Sequence, residues 1–177
     1  LIIPVVNNKF DKKYCEIYTD REWQHIPSLC EYTNSSYDPK QDTFIYSSLF
    51  PMETIHSDFL IKNKQEVLPP KYQWQDLADF KGIIHIPYCP STMSIFENYN
   101  SNIPMFFPSY EYMLKLRQAF GPSGVLNQLS WREVHNLSPG KIINHRKDNI
   151  GDINNYGNID DEKEWIKLSD FYDQEWM

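Results

Sequence analysis

Ser91, Thr92 and Glu97 are the residues whose types and spacing could do chemistry together. They follow the apolar run Gly82-Ile83-Ile84-His85-Ile86 and precede Asn98-Tyr99-Asn100-Ser101-Asn102-Ile103-Pro104-Met105-Phe106-Phe107-Pro108. A run like Gly82–Ile86 reads as a strand buried on both faces. Pro90 ends what precedes it, and Ser91 can cap a helix that follows. Tyr88, Ser91 and Thr92 then stand at the strand tip, beside the free N–H groups and positive dipole end of that helix, which favour an anion such as a diphosphate. Glu97 lies about a turn and a half further on, within reach of a sugar attached to that phosphate. Its carboxylate can accept hydrogen bonds from two neighbouring ribose hydroxyls.

The elements expected to position these residues alternate in type. Residues 1–6 read as a short strand, and residues 7–38 as a polar, aromatic and irregular connector with a turn cluster at Tyr32–Ser36. Asp42–Ser48 reads as a strand, through Thr43, Phe44, Ile45 and Tyr46. Pro69-Pro70 breaks the chain before a helix over Tyr72–Phe80, whose Trp74, Leu77, Ala78 and Phe80 share a face. After the Gly82–Ile86 strand comes a helix packing through Ile95, Phe96 and Tyr99 and ended by Asn100-Ser101-Asn102, and then a strand over Ile103–Phe107. Ser109 caps a further helix with Glu111 in its first turn and Met113, Leu116 and Phe120 on one face, stopped by Gly121-Pro122. Residues 144–162 read as a long loop. A final helix runs from Glu162 to Trp176, aligning Trp165, Leu168, Tyr172 and Trp176. This alternation over residues 42–120 points to an α/β fold, a Rossmann-like parallel sheet flanked by helices. Ser47 and Ser48, ending their strand, would face the same carboxyl-edge crevice as Ser91.

Composition narrows the function classes. The chain has 177 residues, of which 41% are hydrophobic and 23% charged, as in an ordinary globular domain. Its net charge of -7 makes a nucleic-acid backbone a poor partner. The one basic cluster, Lys141–Lys147, reads as a solvated loop. Cys15, Cys30 and Cys89 form neither a disulfide framework nor a Cys-x-x-Cys pair. No apolar run approaches the roughly 20 residues that span a bilayer. Cysteine use and the lack of a secretory signal place the expected location in the cytoplasm. Asp160-Asp161-Glu162 reads as a solvated acidic group rather than a metal site. His85 reads as a core or rim histidine. His25 and His56 have no recognisable partners, and no Ser-His-Asp or Cys-His set can be assembled locally.

The segment His85-Ile86-Pro87-Tyr88…Ser91-Thr92…Glu97…Asn102-Ile103-Pro104-Met105-Phe106-Phe107-Pro108 resembles the carboxyl-terminal, donor-binding lobe of GT-B glycosyltransferases. The likeness covers about residues 40–120. It departs from the family pattern in having Pro90 and Asn102 where Gly is usual. The resemblance implies that residues 39–177 form a nucleotide-sugar-binding domain and that residues 1–38 are the tail of a preceding lobe and a connector. It also implies transfer of a sugar from a nucleotide diphosphate sugar to an acceptor hydroxyl, with Ser91 and Thr92 facing the diphosphate and Glu97 the ribose. Neither metal nor cofactor is called for, since helix dipole and basic side chains offset the leaving group. The catalytic base would lie in an amino-terminal lobe of a longer chain, so no catalytic residue is named. The acceptor is not specified. The alternative reading is a non-catalytic α/β module that binds a protein or glycan through exposed aromatics.

Overall fold

The computed structural model describes residues 2–46, 62–120, 125–126, 163 and 166–173. They fall into two compact units. One draws on residues within 1–28, 88–92 and 113–177, the other on 29–87 and 93–112. The boundary expected at residues 38–39 falls inside the second unit.

In the first unit, β1 (Val5–Val6) and β2 (Gln24–His25) pair in parallel and are joined by α1 (Lys9–Thr19). Residues 7–38 are therefore not the irregular connector that their polarity suggests. The helix is set by its cap. Asn8 is buried and its Oδ1 accepts from the Asp11 amide at 2.6 Å, while its Nδ2 donates to Asp11 Oδ2 at 2.7 Å. That reciprocal pairing satisfies the helix start. Asp20 closes the other end in a left-handed conformation, its amide donating to Glu16 O. Phe10 packs inward, and α1 meets α5 (Asp170–Asp173). Of the expected Glu162–Trp176 helix, residues 163 and 166–173 are described: α5 is only its Asp170–Asp173 part, preceded by a turn at 167–169, with Ile166 and Phe171 buried. Trp165 and Trp176, the 144–162 loop and the Gly121-Pro122 stop lie outside the described residues.

The second unit is a four-stranded, all-parallel sheet. Its strands are β3 (Phe44–Tyr46), β4 (Gln65–Val67), β5 (Gly82–Ile84) and β6 (Met105–Phe106), in the spatial order β4-β3-β5-β6. Ile45 stands opposite Ile83, and Ile83 opposite Met105, so these three share one face. That face meets Leu77 and Ala78 of α2 (Trp74–Ala78) and Ile103, with Trp74, Phe80 and Tyr72 packed around them, as the helical spacing predicts. Gln73 and Asp76 form a reciprocal capping box that starts α2 after Pro69-Pro70. β5 and β6 are shorter than the runs Gly82–Ile86 and Ile103–Phe107 that contain them.

Helices α3 (Met93–Asn100) and α4 (Tyr110–Phe120) flank β6 in sequence. Ser109 caps α4, its Oγ accepting from Tyr112 N at 3.3 Å, and Met113 and Leu116 are buried as expected. In α3 the expected packed face is partly wrong. Ile95 and Phe96 are buried, but Tyr99 is 40% exposed, and Glu97 and Asn98 are buried instead. The reason is the segment 30–37, which lies on that side of the helix and is described next.

Candidate functional site

The strand order fixes where a ligand would be received. The chain passes from β3 outward to β4, then crosses back over β3 to β5 and continues to β6. The direction of winding thus reverses between β3 and β5. In open parallel sheets that reversal parts the loops at the carboxyl ends of the two strands and leaves a crevice. The chain leaves β5 through His85–Thr92, and leaves β3 through Ser47 and Ser48, which lie outside the described residues.

Glu97 belongs to the sheet unit. It is 8% exposed, and its Oε1 accepts a hydrogen bond from the Tyr32 hydroxyl. Oε2 has no hydrogen-bond partner, and the carboxylate no ion-pair partner, among the described residues. Its charge is felt by its neighbours. The hydrogen bond to Glu97, above all, holds the Tyr32 phenol above its ordinary range. Burial first, and then Glu97, push the Cys30 thiol and the Tyr72 phenol up. Glu97 thus has one phenol as a hydrogen-bond partner and acceptor positions left over.

Tyr32 is placed by a strap of hydrogen bonds that sequence spacing does not display. Cys30 and Asn34, both in left-handed conformations, bracket a 3₁₀ turn over Glu31–Thr33. Asn100 Nδ2 donates to Cys30 O at 3.3 Å, and Tyr37 N donates to Ser101 O at 3.0 Å. Ser101, fully buried, gives its own proton to Glu97 O at 2.9 Å. Having one proton, it must accept from Thr33 Oγ1 at 3.2 Å and Ser35 Oγ at 2.6 Å. The Tyr32–Ser36 cluster is therefore a strap fastened to the carboxyl end of α3. Tyr32 is the site residue missed from the sequence, where it reads as part of a turn.

Tyr88, Ser91 and Thr92 belong to the other unit, each half-buried. There the Asp170 amide donates to Pro90 O at 3.0 Å, fixing this short loop to α5. Burial raises the Cys89 thiol, with the charges of Asp11 and Asp170 adding, while the Ser91 amide bonds the sulfur and opposes them. The helix begins at Met93, so Thr92 rather than Ser91 directly precedes its first residue.

His85 sits one residue beyond β5, its amide donating to Phe106 O at 2.9 Å and its ring edge-on to Phe107 at 5.3 Å. Nε2 is shut off from solvent without a hydrogen-bond partner among the described residues. Burial pushes its pKa from the ordinary 6.5 down to about 4. The ring is therefore neutral at pH 7. Because unfolding restores the higher value, the unfolded chain takes up this proton first as pH falls. Stability contributed by the neutral ring is full above about pH 6.5 and is lost down to about pH 4, amounting to about 3 kcal/mol. Urea midpoints at pH 7.5 and 4.5 should show a smaller acid loss in His85→Leu than in the native chain. Equal acid losses would contradict this.

Among the described residues no group of three His, Cys, Asp or Glu side chains could hold a metal ion, and no helix is long and apolar enough to cross a membrane. No family model, no curated protein and no solved structure matches this chain.

Proposed function

We propose that the chain is the donor-binding part of a GT-B-like glycosyltransferase, gripping a nucleotide diphosphate sugar for transfer of its sugar to an acceptor hydroxyl. The observation that carries this reading is the reversal of winding between β3 and β5 in an all-parallel sheet, the place where nucleotides are held in folds of this class. The resemblance of residues 40–120 to the donor lobe adds to it, as does a buried carboxylate at Glu97 with no cationic partner among the described residues. In this reading Glu97 takes the ribose hydroxyls, Ser91 and Thr92 meet the diphosphate, and Tyr88, Ser47 and Ser48 line the approach. The sugar bond breaks as the diphosphate leaves, and N–H groups and positive helix ends stabilise the charge that develops there.

Isothermal titration with UDP- and GDP-sugars tests the proposal. Micromolar to millimolar binding by at least one of them is expected, with Glu97→Ala weakening it roughly tenfold to a hundredfold, the range for charge-assisted bonds to two hydroxyls. No binding by any donor, or binding indifferent to Glu97→Ala, would sink it. The interaction-module reading has the exposed rings of Tyr32 and Tyr99 in its favour. Partner capture that depends on those rings, without nucleotide affinity, would select it.

A further inference from the structure

Tyr32 combines three properties that a turn residue does not need. It is 61% exposed while its hydroxyl donates to the carboxylate of Glu97, so the side chain is both anchored and open to solvent. Its backbone is bracketed by two non-glycine residues in left-handed conformations, Cys30 at φ 52° and Asn34 at φ 48°. Single residues in that region are uncommon outside Gly, Asn and Asp, and Cys30 is none of these. Finally, the segment is fastened to α3 by the bonds of Ser101 and Asn100, so the ring is held rather than free to sweep. A strained and anchored turn that presents a bare aromatic face beside a carboxylate is built to present it to something.

What lies against the ring follows from what the carboxylate takes. A carboxylate offers about four acceptor positions, and Tyr32 uses one on Oε1. Enough remain for two adjacent hydroxyls of a ribose. A nucleotide's base is one covalent bond from that ribose, and a base with its sugar seated on Glu97 must lie close to whatever else touches Glu97. Base–aromatic stacking tolerates any base, because every base has a π-face. We infer, resting on the donor-lobe reading above, that the exposed ring of Tyr32 is the platform on which the base of the bound nucleotide stacks, while Glu97 holds its ribose.

Three probes separate the parts: UDP (with GDP in parallel), uridine and inorganic pyrophosphate, each titrated into the full chain and its variants. Tyr32→Leu removes the ring and should weaken UDP and uridine about tenfold, the middle of the range for losing one stacked base, with pyrophosphate unchanged. Tyr32→Phe keeps the ring and should bind within about threefold of the native chain, a rescue that a merely structural hydrogen bond would not give. In proton NMR the Tyr32 ring resonances, assigned by their absence in Tyr32→Leu, should move upfield on adding UDP and stay still with pyrophosphate. Tyr32 is exposed, so its variants should fold; a thermal melt checks this. Native binding of UDP or GDP together with an unchanged affinity in Tyr32→Leu overturns this inference and leaves the donor-lobe reading standing. Failure of the native chain to bind either nucleotide overturns both.

Discussion

Arg117→Met is expected to remove about 2–5 kcal/mol of stability, read as a lower urea midpoint at unchanged slope. Arg117 lies on α4 and is 6% exposed, and its Nη1 donates to the carbonyls of Val125 and Leu126, both at 3.1 Å. Those two residues are almost completely buried, and Leu126 sits at φ 51°. The guanidinium therefore does for the chain beyond α4 what a glycine-based cap does elsewhere: it gives buried carbonyls a donor. Methionine keeps the apolar stem and its packing but leaves two buried acceptors unsatisfied, each costing about 1–3 kcal/mol. Arg117→Lys should recover only part of the loss, since an ammonium lacks the planar fork. A loss below about 1 kcal/mol in the methionine variant would show that the two carbonyls find other donors.

Gly82→Ala should cost about 1 kcal/mol even though alanine is the better-behaved residue in the unfolded chain. A Cβ at Gly82 would stand 2.8 Å from Pro104 O, 3.1 Å from Phe106 Cε2 and 3.3 Å from Phe44 Cε1. The first contact decides the sign. Pro104 O accepts the Ile83 amide at 2.9 Å, so it cannot retreat without opening the first rung between β5 and β6. The rings of Phe44, buried, and Phe106, 39% exposed, meet edge to face at 5.1 Å across the space the glycine leaves. Overpacking of this kind costs about 1–3 kcal/mol. The smaller entropy of an unfolded alanine returns about 0.4–1 kcal/mol of that. Chemical denaturation reads the net value, and faster hydrogen exchange at the Ile83 amide locates it. An alanine variant as stable as the native chain would mean that β6 can shift outward without loss.

The α/β alternation was legible because its signals are local. The run Gly82–Ile86, the Ser109 cap and the Trp74-Leu77-Ala78 face each lie within a few residues of what they determine. β4 was not, since Gln65-Glu66-Val67 is largely polar and is held by backbone bonds to β3 at the edge of the sheet, where no apolar alternation is required. α1 was hidden by its aromatic and charged composition, although Asn8 and Asp11 carry a capping pattern three residues apart. At the candidate site, spacing picked out Glu97 but not what rests on it. The burial of Glu97 and Asn98 in α3, with Tyr99 outside, comes from a segment remote in sequence, which no periodicity within eight residues can report.

The bonds that fasten Tyr32, Thr33, Ser35 and Cys30 reach across 65 to 70 positions of sequence. During synthesis the strap leaves the ribosome well before its dock exists. Until α3 has emerged, its hydroxyls and the Tyr32 phenol are hydrated and its two left-handed residues have nothing to hold them. The surroundings of Glu97 are thus completed backwards along the chain, by a piece made early that waits for a helix made late.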